Sequence, residues 1–145
     1  MNNDDLLKLD NQLCFAVYAA SHAFNKVYKP LLAELGLTYP QYLVMLYLWE
    51  KQTARVTEIG AALGLDTGTL SPLLKRLEKT GDIRRERSET DERQVMIRLT
   101  EQGSAKKREA VKVAGHIGNA LGCDLESYKA LLDSIKTLRS NLERS

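Results

Sequence analysis

Gly64-Leu65-Asp66-Thr67-Gly68-Thr69-Leu70-Ser71-Pro72-Leu73-Leu74-Lys75-Arg76-Leu77-Glu78-Lys79-Thr80-Gly81 is the stretch that decides how this chain folds. Leu70, Leu73, Leu74 and Leu77 make one apolar stripe at helical spacing, Asp66 is a good N-cap, and Gly81 a terminator. The spacing predicts a helix over Thr67 to Thr80, with Pro72 early enough to be accommodated. Just upstream, Thr57 to Leu63 reads as a shorter helix closed by Gly64. Two short helices joined by Gly64-Leu65-Asp66 have the spacing of a helix-turn-helix, whose second helix enters the major groove of DNA.

Opposite the leucine stripe lie Gly68, Ser71, Pro72, Lys75 and Lys79, with Thr67, Thr69 and Arg76 toward the edges. Small hydroxyls near the helix start allow close approach to base edges and phosphates, while Lys75 and Arg76 can neutralise phosphate or pair with guanine. A merely solvated face is the competing explanation, and it holds for most charged stripes. The next segment shifts the balance. Ile83 to Arg87 and Val95 to Leu99 flank a polar loop, Ser88 to Gln94, and so read as a hairpin. Six basic residues stand against three acidic from Lys75 to Arg87.

Working outward, Leu6, Leu9, Leu13, Val17, Phe24, Val27 and Leu31 recur at helical spacing and predict a first helix from about Lys8 to Leu35, ended by Gly36. Pro30 removes a backbone donor there, so a kink near Tyr28 or Lys29 is expected. A second helix runs from about Pro40 to Glu50. Beyond the hairpin, Thr100 caps a fifth helix weakened by Gly103, Gly115 and Gly118, and Asp124 caps a sixth carrying Leu125, Tyr128, Leu131, Leu132, Ile135, Leu138 and Leu142. The terminal helices show apolar faces without an obvious intrachain partner, which suits pairing with a second copy; an intramolecular bundle is the alternative.

A chain of 145 residues is one domain's worth, with room for a single core. No apolar run is long enough to span a bilayer, and the acidic N-terminus lacks signal-peptide order, so a cytosolic protein is expected. Cys14 and Cys123 are far apart, and no Cys-x-x-Cys or Cys/His cluster exists, so neither a disulfide framework nor a metal site is supported and no cofactor is expected. The formal net charge of +2 is nearly neutral. A DNA-binding reading therefore rests on local motifs rather than on overall charge.

The loop ending Asp91-Glu92-Arg93, the alternating strand after it and Leu99-Thr100-Glu101-Gln102-Gly103 resemble the wing of the MarR family. Together with Cys14, in Leu9-Asp10-Asn11-Gln12-Leu13-Cys14-Phe15-Ala16-Val17-Tyr18, the likeness extends from about Leu9 to Gly103 and is most similar to the OhrR group, dimeric repressors that sense organic hydroperoxides. The implied fold is mainly α with a small β-hairpin: a winged helix-turn-helix lobe over about residues 40–99, with dimerisation helices over about 1–35 and 101–145. By the same resemblance Arg93 enters the minor groove, and Asp91 holds it in place through a charge-assisted hydrogen bond.

From the residues alone, Cys14 reads as a small buried hydrophobe. A sensing thiol has to be thiolate at neutral pH, against a reference pKa of about 8.5, and Cys14 has no Lys or Arg within a turn of its own helix. The resemblance supplies other donors: Tyr28, in Val27-Tyr28-Lys29-Pro30, and Tyr39, in Thr38-Tyr39-Pro40, match two tyrosines that reach the reactive sulfur from the partner subunit. It also implies that Cys123 of the other subunit resolves a sulfenic acid at Cys14 as a disulfide, a structural cysteine being the alternative. The expected function is a repressor, not an enzyme, whose partners are operator DNA, a second copy and organic hydroperoxide. Two rivals stay open: a MarR-type regulator answering to a small amphipathic molecule, and a thiol peroxidase, for which a helical chain offers no thioredoxin-like scaffold.

Overall fold

The structure, a computed structural model, describes residues 1–91 and 93–145. Met1–Val113 form one compact unit and Ala114–Ser145 a second. In the first, a short helix α1 (Asn3–Leu6) and a single 3-10 turn (Leu9–Asn11) precede α2 (Leu13–Ala33). Then come α3 (Tyr39–Lys51), strand β1 (Thr53–Arg55), α4 (Val56–Leu63), α5 (Thr67–Lys79), strands β2 (Ile83–Arg87) and β3 (Val95–Leu99), and α6 (Glu101–Ala105). Helix α7 (Lys107–Leu121) crosses from the first unit into the second, which is completed by α8 (Leu125–Glu143).

The caps foreseen from sequence are made. Asp66 accepts from the Thr69 amide at 2.7 Å, Thr100 Oγ1 from the Gly103 amide at 3.1 Å and Asp124 from the Ser127 amide at 2.7 Å. Thr38 and Gln41 add a reciprocal capping box at the start of α3, with Pro40 in the first turn where its missing N–H costs nothing. The stripe on α5 is the floor of the core: Leu70, Leu74 and Leu77 are fully buried, with Met45, Leu48, Ile59, Ile83 and Ile97 around them. Each such side chain contributes about 1.5–3 kcal/mol by leaving water.

Three features depart from expectation. The first helix is not continuous from Lys8, because Gln12 takes an extended conformation (φ −87°, ψ 112°) and turns its side-chain amide back onto the carbonyls of Leu6 and Lys8. Helix α2 therefore starts at Leu13, continues through Pro30 and ends at Ala33. The hairpin gains a third strand, in the order β1-β3-β2, with Ala54 opposite Ile97 and Arg85 opposite Ile97 on the other side. The fifth helix is split in two at Lys106.

Apolar side chains remain exposed on both units. Leu9, Leu13, Val17 and Phe24 are exposed in the first, and Leu125, Tyr128, Leu131, Leu132, Ile135 and Leu142 in the second, where α8 has no buried residue. Stripes of this extent favour a covering partner.

Candidate functional site

The turn between α4 and α5 is built by two glycines. Gly64 adopts a left-handed conformation (φ 67°), and the Leu65 amide reaches back to the Gly60 carbonyl at 2.9 Å. A Cβ on Gly60 would stand 2.9 Å from the Leu65 carbonyl oxygen, so the helices meet this closely only with glycine there. The result presents Thr67, Thr69, Lys75 and Arg76 to solvent, with Ser71 half-buried. At the helix start, hydrogen bonds from the Thr69 amide hold the Asp66 carboxyl below its ordinary pKa.

In the wing loop the Ser88 amide donates to the Gln94 carbonyl at 2.9 Å, and the Gln94 amide to the Asp91 carbonyl at 3.0 Å. The Asp91 carboxylate accepts from the backbone amide of Arg93 at 3.0 Å. The Asp91 carboxylate therefore bonds the main chain of Arg93, and the Arg93 side chain is exposed. Glu92, between them, lies outside the described residues.

Cys14 is a free thiol, exposed, and the second residue of α2. Because the helix begins only at Leu13, the sulfur sits beside the positive end of a 21-residue helix rather than in mid-helix next to Asp10. Tyr28 and Tyr39 lie together, ring centroids 5.0 Å apart, in an aromatic group that continues through Tyr42 to Trp49. Burial pushes the Tyr39 phenol above its ordinary pKa, which keeps it a protonated donor at neutral pH. Tyr42, which sequence reasoning did not single out, is raised for the same reason, with the neighbouring Tyr39 adding to it.

On α2 the rise of about 1.5 Å per residue separates Cys14 from Tyr28 by roughly 21 Å. Tyr28 is therefore out of reach of the sulfur of its own chain, and Tyr39 lies beside Tyr28. Beside Tyr39, an apolar cavity of about 400 Å³ is lined by Leu32, Ala33, Leu37 and Thr38, with Asn25 and Lys29 as its polar members. Cys123, in the second unit, is also free and exposed, directly before the Asp124 cap of α8. Among the described residues no cluster of His, Cys, Asp or Glu could hold a metal ion, and no helix is long and apolar enough to cross a membrane.

The family model "Transcriptional regulator SarA/Rot" matches residues 26–110. The chain is 52% identical to the HTH-type transcriptional regulator TtmR of Methylorubrum extorquens (strain PA1), over 96% of this chain and 71% of that protein. It is 48% identical to the organic hydroperoxide resistance transcriptional regulator of Bacillus subtilis (strain 168), over 99% and 97%. Among solved structures, reduced AbfR bound to DNA superposes with a TM-score of 0.84 at 36% identity, covering 99% of this chain and 98% of the other. AbfR is also known overoxidised on DNA (TM-score 0.78, 35% identity, 97% and 99% covered) and in a disulfide form (0.67, 37%, 97% and 94%).

Proposed function

The chain belongs to the MarR/SarA family of transcriptional regulators, and we propose that it is a homodimeric repressor released from its operator by organic hydroperoxide. Helix α5 enters the major groove through Thr67, Thr69 and Ser71, with Lys75 and Arg76 on phosphate or guanine, while Arg93 reaches the adjacent minor groove from a loop that Asp91 stiffens. The protein acts in the cytoplasm, where its DNA is, and not as an enzyme: each thiol is consumed once per signal.

The sensing step uses Cys14. Its thiolate attacks the outer oxygen of the hydroperoxide, the O–O bond breaks, and the organic fragment leaves as an alcohol after taking a proton; sulfur is oxidised to sulfenic acid and the peroxide reduced. Tyr28 and Tyr39 of the partner subunit donate hydrogen bonds that favour the charged sulfur. The Cys123 thiol of the other subunit then displaces hydroxide from the sulfenic acid, which leaves as water, and a disulfide forms. Moving the two sulfurs to within bonding range shifts the helices that set the half-site spacing, and DNA is released.

The phenol pair carries this reading, because two adjacent phenols on one chain, out of reach of their own Cys14, suit a thiolate supplied by a second copy. The test is release from a duplex selected out of a random-sequence pool. Cys14→Ser should bind like reduced wild type and stay bound when an organic hydroperoxide is added; release at the wild-type dose sinks the sensing role. The cavity beside Tyr39 favours one rival, a regulator whose DNA release follows non-covalent binding of an amphipathic molecule, and in that case Cys14→Ser would leave the response unchanged.

A further inference from the structure

Between the start of α5 and the base of the wing lies a cleft of about 280 Å³ lined by Arg55, Thr57, Thr67, Ser71, Arg85 and Arg93. Three arginines line it beside apolar Val56, Leu74 and Val95, and they are not equally held. Arg55 is held by Glu58, Nε to carboxylate at 2.8 Å. Arg85, on β2, is held more loosely: its Nε has no hydrogen-bond partner and makes only a long ion pair with Glu78, at 4.0 Å. Its remaining side-chain bond, to the Ser71 carbonyl, is a long 3.4 Å. Arg85 keeps 28% of its side chain exposed, so an acceptor arriving in the cleft can add the short charge-assisted bonds that Glu78 and the Ser71 carbonyl do not supply.

Geometry says what that acceptor is. If α5 occupies the major groove and Arg93 the neighbouring minor groove, one sugar-phosphate strand separates the two grooves and has to pass between the two elements. The cleft occupies that position, and its hydroxyls and guanidinium groups are the donors that phosphate oxygens accept. We propose that this cleft is a saddle for one backbone phosphate of the operator, gripped by Arg85 with Arg55 and the hydroxyls of Thr57 and Thr67 as second contacts. The inference rests on the DNA-binding reading and deepens it. Arg85 thereby fixes the register of α5 against the wing, and contributes affinity without reading sequence.

The experiment uses duplexes selected by the wild-type protein from a random-sequence pool, each then made with one neutral methylphosphonate linkage at successive positions. In wild type, one linkage per half-site between the two grooves should be most sensitive. Arg85→Gln should weaken binding roughly tenfold and lower the slope of log affinity against log salt by about 1. In that variant the sensitive linkage should become silent. Arg85→Lys should keep the salt slope and recover part of the affinity, which a purely structural Arg85 would not do. Arg55→Gln, an exposed change that leaves the core intact, should partly silence the same linkage. If wild type enriches no duplex, the DNA-binding reading itself fails. If it does, but Arg85→Gln and Arg55→Gln leave the pattern of sensitive linkages and the salt slope unchanged, the saddle alone is overturned.

Discussion

Lys106 Nζ lies 2.9 Å from the carboxylate of Asp82, a side chain with no exposed surface. Asp82 immediately precedes β2, and Lys106 joins α6 to α7, so the pair fastens the base of the wing to the C-terminal helical segment of the first unit. The fastening is close throughout: Trp49 Nε1 donates to the Gly103 carbonyl at 2.9 Å, and a Cβ on Gly103 would come within 2.0 Å of the Asp82 carbonyl oxygen. Gln102 Nε2 donates to Asp82 as well, at 3.0 Å. The Leu99-Thr100-Glu101-Gln102-Gly103 motif is therefore a joint between the wing and α6.

Removing the cation tests that joint. Lys106→Met leaves the Asp82 charge buried with only neutral donors, and should lower unfolding free energy by about 2–3 kcal/mol, read from the urea midpoint at fixed protein concentration. Gly103→Ala should be worse, because backbone has to move. A Lys106→Met midpoint equal to wild type would mean that Gln102 and Thr80 satisfy Asp82 unaided.

If the phenols act on the sulfur of the other subunit, their loss should be felt across the dimer. Tyr28→Phe and Tyr39→Phe should each slow alkylation of Cys14 at neutral pH, by about tenfold if a hydrogen bond to charged sulfur is lost. In a mixed dimer of a Cys14→Ser chain with a Tyr28→Phe/Tyr39→Phe chain, the single Cys14 faces intact tyrosines. It should react at the wild-type rate, and a slow rate there would place the tyrosines in the wrong subunit.

The reading head is legible in the sequence because its signals are local. Asp66, Gly64 and the Leu70 to Leu77 stripe each act within a turn or two of themselves. Strand β1 was not legible: Thr53–Arg55 is too short to show alternation, and its pairing with β3 is made across some forty residues of chain. The break at Gln12 was hidden for a related reason, since apolar spacing runs straight through it while the amide side chain bends the backbone. Arg85 read as one more basic residue on a strand. Only packing shows that its Nε makes no hydrogen bond and just a 4.0 Å ion pair with Glu78.

Acid should loosen the reading head through its cap. The Thr69 amide holds the Asp66 carboxyl below its ordinary value, so its stabilising contribution is complete above the unfolded-state pKa and is lost as pH falls through that value toward the folded one. Asp66→Asn keeps a capping oxygen and does not titrate. Its stability should therefore fall less steeply than wild type below about pH 4. Parallel acid limbs for the two proteins would exclude Asp66 as a source of the slope.

Asp91 and Arg93 should behave as one unit on DNA. Because Asp91 holds the Arg93 amide, Asp91→Ala should weaken binding by letting the loop relax, and Arg93→Ala should weaken it more while reducing its salt dependence. The double variant should match Arg93→Ala alone. Additive losses would instead give Asp91 a role independent of Arg93.

The proposed role of Cys123 can be tested apart from that of Cys14. On the proposed mechanism, release follows the disulfide between Cys14 and Cys123 rather than the oxidation of Cys14 itself. In this chain both thiols are exposed and free, and Cys123 sits at the entry to α8, whose apolar face is uncovered. One equivalent of organic hydroperoxide should give a covalent dimer on non-reducing gels, reversed by a dithiol and absent in Cys14→Ser and in Cys123→Ser. Cys123→Ser should still consume peroxide at Cys14, yet remain on DNA until a small thiol is added to cap the sulfenic acid, and with excess peroxide it should pass to the sulfinic acid and stay bound. Wild-type protein that releases DNA while running entirely as a monomer, with no disulfide by mass, would remove Cys123 from the mechanism and leave Cys14 to act alone.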